Sequence, residues 1–133
     1  MTDSSLEIQQ AVVAALKADG AVAALVGARV YDEPPEAPTY PLIELGPGFG
    51  EPWEGTTMAG WRLVQTVNCW SRKPGRVEAL QIAAAVTAAL HRVQLTLSTQ
   101  SYVPALNVGQ NTISQDDGIT TLAAIRFEFL THP

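Results

Sequence analysis

The stretch Val67-Asn68-Cys69-Trp70-Ser71-Arg72-Lys73-Pro74-Gly75-Arg76 is where the pattern of the chain changes. Upstream of it, from Trp61, apolar residues fall on alternating sides: Leu63, Val67 and Cys69 face one way, Val64, Thr66 and Trp70 the other. That is the period of a strand, with apolar surface on both faces. Ser71 and Arg72 open a turn. Downstream, Ala79, Ile82, Ala83, Val86, Ala89, Leu90 and Val93 recur at helical spacing and predict a helix from Pro74 to about Arg92. Pro74 suits the first turn of such a helix, where its missing N–H is no loss. The small residues of the stripe would let the helix lie close against a sheet.

Towards the C-terminus, a strand is expected within residues 102–115, a turn at Asp116-Asp117-Gly118 and a second strand over residues 119–130. Ile119, Ala123, Ile125, Phe127 and Phe129 share one face of that last strand, and Arg126, Glu128 and His132 the other. This is the clearest period-2 pattern in the chain.

Towards the N-terminus, residues 4–18 predict a helix, with Leu6, Val13 and Leu16 on one face, Ile8, Val12 and Ala15 beside it, and Ser4 or Ser5 as its cap. Asp19 reads as the N-cap of a short helix over residues 20–26, and Gly27 as its stop. A short strand over residues 29–31 follows. Three prolines in residues 32–38 dictate a loop, and residues 40–45 read as a strand with Pro41 near its start. Residues 46–60 hold five glycines and two prolines in fifteen positions, which predicts a long flexible loop or hairpin tip. Helices and antiparallel strands come in separate runs. The expected fold class is therefore α+β: an antiparallel or mixed sheet of about four strands, one long helix packed on it, and an N-terminal helix followed by a short one.

At 133 residues the chain is most simply one domain, residues 1–133. Its apolar fraction of 47% fills a core, and its charged fraction of 16% is low against the ~25% of ordinary proteins, leaving surface free for protein contacts. The net charge of −5 argues against a general nucleic-acid binder. It permits a channel through which DNA slides, since like charge repels phosphate. Cys69 is the only cysteine, so no disulfide forms within the chain. Residues 1–5 lack the pattern of a signal peptide, and no apolar run approaches the length of a membrane span.

Candidate chemistry is sparse. Gly46, Gly48 and Gly50 miss both phosphate-loop fingerprints: Glu51 stands where a third glycine is needed, and no lysine of the nucleotide-binding type follows. Glu51 and Glu54 would repel phosphate. One cysteine with His91 and His132 does not make a zinc set, and Cys69 inside a strand reads as a small core residue rather than a nucleophile. No cofactor, metal or catalytic residue is expected. What remains is charge in two places. Arg72, Lys73 and Arg76 gather at the corner after the strand, while Asp32, Glu33 and Glu36 gather in the proline-rich loop. Opposite charge on separated surfaces favours head-to-tail association of identical subunits, which closes into a ring when the rotation allows. The corner also admits a simpler reading as a polar turn before a helix. Trp53, in the glycine-rich segment beside Glu51 and Glu54, is the tryptophan expected to be exposed, and such a residue anchors partners.

Several segments in order carry a resemblance. Leu25-Val26-Gly27-Ala28-Arg29-Val30-Tyr31 leads into the proline-rich link. Tyr40-Pro41-Leu42-Ile43-Glu44-Leu45-Gly46 follows, then a strand ending Cys69-Trp70-Ser71-Arg72, an Ala-rich helix and a hairpin with Asp-Asp-Gly at its turn. This resembles the tail terminator, or tail completion, proteins of tailed phages, prophages and gene transfer agents, over nearly the whole chain apart from residues 46–60. The resemblance implies a non-enzymatic hexameric ring in a virion or virus-like particle tail, assembled in the bacterial cytoplasm. Such a ring ends the tail tube and joins it to a head-side connector or stopper, with double-stranded DNA passing unbound through the lumen. Six copies would sum to roughly −30, six times −5. The readings that compete with it are a head–tail stopper or connector ring, and a small cytosolic non-catalytic binding domain.

Overall fold

The sheet comes first, because every helix packs on one side of it. In the computed structural model of the chain, residues 5–54, 59–93, 101–114 and 117–132 are described. Five strands, β1 (Val30–Tyr31), β2 (Leu42–Glu54), β3 (Ala59–Ser71), β4 (Ser101–Ser114) and β5 (Thr121–His132), form one sheet in the order β1-β2-β3-β5-β4. β1 runs parallel to β2, and all other neighbours are antiparallel, so the sheet is mixed. About four strands were expected and the sheet has five; the short strand read over residues 29–31 is β1, which pairs only through Val30↔Ile43 and Tyr31↔Glu44. The α+β class stands.

The helices are α1 (Ser5–Ala18), α2 (Gly20–Val26) and α3 (Val77–Leu90). Asp19 caps α2 as expected, its side chain accepting from the Val22 N–H at 3.0 Å. Gly27 ends it at φ 61°, a conformation that costs a glycine little. Pro74 does not start α3: the helix begins at Val77, with Arg76 at the N-cap and no side-chain cap bond. The apolar face of α1 also differs from the expected one. Ile8, Val12 and Leu16 are buried, whereas Leu6 is 65% exposed.

In β3 and β5 the odd-numbered residues point to the helices. Leu63, Val67, Cys69, Ala123, Ile125, Phe127 and Phe129 join Ile43, Leu45 and the buried faces of the three helices in one core. Ile119, expected on that face, precedes β5 and is half exposed. The even-numbered residues form the other face, which no described helix covers.

Residues 46–54 and 59–60 are ladder rather than flexible loop. β2 pairs with β3 from Leu42↔Trp70 to Glu54↔Ala59, with one irregularity between Leu45 and Gly48. The tip of this hairpin, residues 55–58, and Asp116 of the expected C-terminal turn lie outside the described residues. Gly60 shows why glycine occurs in the ladder. A Cβ there would stand 1.9 Å from the Thr131 carbonyl oxygen and 2.8 Å from Trp53 Nε1. Trp53 lies over this glycine.

Candidate docking surfaces

The corner after β3 is built by residues distant in sequence. The Arg72 guanidinium carbon sits 4.5 Å from the centroid of the Tyr40 ring, a cation–π geometry. Its Nε donates to Thr120 Oγ1 at 3.2 Å. Thr120 Oγ1 donates in turn to Asp117 Oδ2 at 2.6 Å. Asp117 Oδ1 accepts from the Ile119 N–H at 2.9 Å and the Thr120 N–H at 2.8 Å. The Thr120 hydroxyl, then these backbone N–H groups and the nearby Arg72 charge, hold the Asp117 carboxyl down at about 2. Arg72 is thus fixed from two sides, with its charge available.

Lys73 and Arg76 complete the corner. Lys73 Nζ lies 3.5 Å from Glu78 Oε2, with the lysine side chain 75% exposed, a pair that adds little to stability. Ser71 Oγ donates to Glu78 Oε1 at 2.9 Å and accepts from the Lys73 N–H at 3.2 Å. Arg76 is exposed, and beside it so are Val77 and Leu80 of α3. Tyr40, Pro41, Arg72, Lys73 and Glu78 line a shallow cavity of about 190 Å³. Arg29 Nε steadies its wall by donating to the Pro41 carbonyl at 2.7 Å. A fixed guanidinium with an exposed ammonium at the rim is chemistry suited to a carboxylate.

The other expected contact residues are placed apart from this corner. Asp32, Glu33 and Glu36 are exposed in the loop after β1, and Asp32 borders a groove of about 490 Å³ lined by Leu6, Gln9, Gln10, Val13, Ala14 and Lys17 of α1. Among the described residues, no ion pair joins these acids to the corner of the same chain. Glu51 pairs with Arg62 at 3.1 Å. Glu54 ends β2, and its side chain lies outside the described residues. Trp53 is not the free platform expected. It is half-buried, and its indole N–H is enclosed without a hydrogen-bond partner among the described residues.

The open face of the sheet holds polar contacts that the spacing alone did not reveal. Arg62 Nε donates to Glu128 Oε2 at 2.8 Å, and these two carboxylates, Glu128 first, raise the arginine above its ordinary value. Glu44 Oε1 accepts from the Trp70 indole at 3.0 Å and from Asn68 Nδ2 at 3.4 Å. Alternation puts Arg62 and Glu128 on the same face, but only the register Thr66↔Arg126 and Val64↔Glu128 shows which residues meet.

Burial drives the Cys69 thiol up to about 12, so it is not a thiolate nucleophile at neutral pH. Among the described residues, no group of three or more His, Cys, Asp or Glu side chains is placed to hold a metal ion, and no single helix is long and apolar enough to cross a membrane.

These features describe a small α+β protein with candidate contact surfaces, and the comparisons place it in a class. The sequence profile of the family "Tail completion protein gp17" matches residues 10–132, and the chain belongs to that family of structural phage tail proteins. Its fold is shared, at a TM-score of 0.90 and 26% identity over 100% of both chains, by a chain in the structure "Virion of native gene transfer agent (GTA) particle". The structure of the bacteriophage SPP1 gp17 protein has the same fold, at a TM-score of 0.67 and 24% identity over 95% of this chain and 89% of that one. No curated protein sequence matches the chain.

Proposed function

We propose that the chain completes the tail of a phage or gene-transfer-agent particle: a ring of six identical subunits ends the tail tube and joins it to the head-side connector. DNA passes through the ring without specific binding. The observation that carries this is the family match over residues 10–132 together with end-to-end similarity to a chain of a gene transfer agent virion. The net charge of −5 per copy supports a lumen that repels phosphate. Within the ring, the Arg72, Lys73 and Arg76 corner takes carboxylates of Asp32, Glu33 or Glu36 from a neighbouring subunit. The end of the β2–β3 hairpin, with Glu51, Trp53 and Glu54, faces the tube or the connector.

Deleting the gene tests the function: heads should accumulate with irregularly long or unattached tails, and normal particles from the deletion would overturn it. The charge contact has its own test. Arg72→Glu with Arg76→Glu should lower the oligomer mass measured by light scattering, and an unchanged mass would remove the corner from the interface.

A further inference from the structure

Two of the helices that cover the sheet keep an apolar stripe on their outward side. In α3, Ala79, Ile82, Ala83, Val86, Ala89 and Leu90 face the core. The opposite side presents Val77, Leu80, Gln81, Ala84 and Ala88, all exposed, with Val77 at 68% and Leu80 at 40%. Glu78, which belongs to neither side, is the single charged residue of the helix. A solvated helix face is normally charged, and a helix apolar on every side is normally covered on every side. The outward side of α3 has the composition of a covered one.

α1 shows the same excess. Ile8, Val12 and Leu16 supply its buried face, and Leu6 is left 65% exposed. From Leu6 a groove of about 490 Å³ runs through Gln10, Val13, Ala14 and Lys17, with Asp32 on its border. The groove from Leu6 to Lys17 and the stripe from Val77 to Ala88 match in length, each about three turns of helix or ~16 Å. Ala14 on one helix and Ala84 and Ala88 on the other leave room for two helix axes to approach. Within one chain neither surface covers the other, since Leu6, Gln10, Val77 and Leu80 all stay exposed.

The charges beside the two surfaces have opposite sign. The α3 stripe begins next to Arg76, with Arg72 and Lys73 in the turn before it. These three outnumber the acids among them, Glu78 beside Lys73 and Asp117 behind Arg72 and Thr120. The α1 groove contains Lys17, but Asp32 on its border and Glu33 and Glu36, exposed in the same loop, outnumber that lysine. Like surfaces would therefore repel, and unlike ones attract.

We infer that the α1 groove is a docking site for a second copy of this chain, entered by Val77 and Leu80 of that copy's α3 while its Arg72, Lys73 and Arg76 face Asp32, Glu33 and Glu36. Each copy offers a different surface, so the contact is head-to-tail and can close a ring. The inference rests on the ring reading and gives its charge contact an apolar centre. That centre matters because exposed ion pairs alone contribute little, whereas each aliphatic side chain taken out of water adds affinity.

Cross-linking between Gln10 and Gln81 tests the pairing. Both side chains are exposed on the two surfaces, and the native Cys69 is buried away from reagent. A chain carrying Gln10→Cys together with Gln81→Cys should give a ladder of covalent multiples with a short bis-maleimide, and neither single variant should cross-link. Dimers from one single variant overturn the inference in favour of a symmetric helix pair. An oligomer that forms without the ladder overturns it and leaves the ring itself standing. A chain that stays monomeric at every concentration also overturns it, while the tails of the gene deletion judge the tail function separately. Leu6→Gln, and Val77→Gln with Leu80→Gln, provide the side-chain test. Each variant should keep the monomer's circular dichroism and weaken association about tenfold, the scale of one aliphatic side chain partly buried. If Arg72→Glu with Arg76→Glu lowers the oligomer mass and these apolar variants do not, the charge contact stands and the groove is not its seat.

Discussion

The two faces of β3 and β5 are made by the same strands and differ in almost everything else. On the helix side, Val67, Cys69, Ile125, Phe127 and Phe129 have no exposed surface. On the other side, Arg62, Asn68, Trp70 and Glu128 are half-buried and held by ion pairs and hydrogen bonds, Arg62 with Glu128 and both Asn68 and Trp70 with Glu44, and Arg126 is exposed. The first face stabilises the chain by itself. The second holds its side chains in fixed positions without burying them. The difference teaches that fold and contact can be assigned to alternate residues of a single strand, so that either can change while the other is kept.

The largest effect should come from breaking the helix side. Phe127→Ala removes a fully buried ring and leaves a cavity, so denaturant unfolding should show a loss of about 3–5 kcal/mol. A loss as small as that of an open-face substitution would erase the distinction. Next is Gly60, on the open side but at a close approach. Gly60→Ala forces a methyl against the Thr131 carbonyl oxygen and the Trp53 ring. Because backbone must move, the expected loss is about 1–3 kcal/mol. Wild-type stability in that variant would mean the hairpin end relaxes freely.

Both positions also show how far the sequence could be read. Phe127 was legible, because alternation in a strand with one covered face needs no tertiary knowledge. The strand over residues 46–54 was not. Its glycines and prolines carry loop composition, and only the ladder with β3 and the packing of Trp53 on Gly60 turn them into strand. The faces of α1 were separated incorrectly because Leu6 and Ile8 belong to adjacent stripes, and the sheet decides which is covered. At the basic corner, Arg72, Lys73 and Arg76 were visible as neighbours in sequence. Tyr40, Thr120 and Asp117, which fix Arg72, were not: Thr120 is 48 positions away and arrives only through strand register.

A smaller effect should follow from the open-face ion pairs. Arg62 bridges Glu51 and Glu128 with its side chain 33% exposed, so solvent and salt screen the pairs. Arg62→Gln should shift the melting temperature less than Gly60→Ala, and the shift should shrink further at high salt. A salt-independent loss as large as that of Phe127→Ala would show that the open face shares in the core's stability.

The smallest effect is a pH dependence confined to the edge of the open side. The Asp117 carboxyl is held at about 2 in the folded chain, against an ordinary 3.8. A group whose folded value is depressed contributes stability that is full above its unfolded value and is lost as pH falls through the folded one. Between pH 4 and pH 2, wild-type stability should therefore decline with a component that Asp117→Asn lacks. NMR titration of the Asp117 carboxyl should show a midpoint near 2. Because Thr120 and the two backbone N–H groups cause most of the shift and Arg72 only part, Thr120→Val should move that midpoint further than Arg72→Ala does. The reverse order would mean the arginine's charge, and not the turn, fixes the carboxylate. The corner would then be an internal ion pair, with less of its charge left for a neighbour.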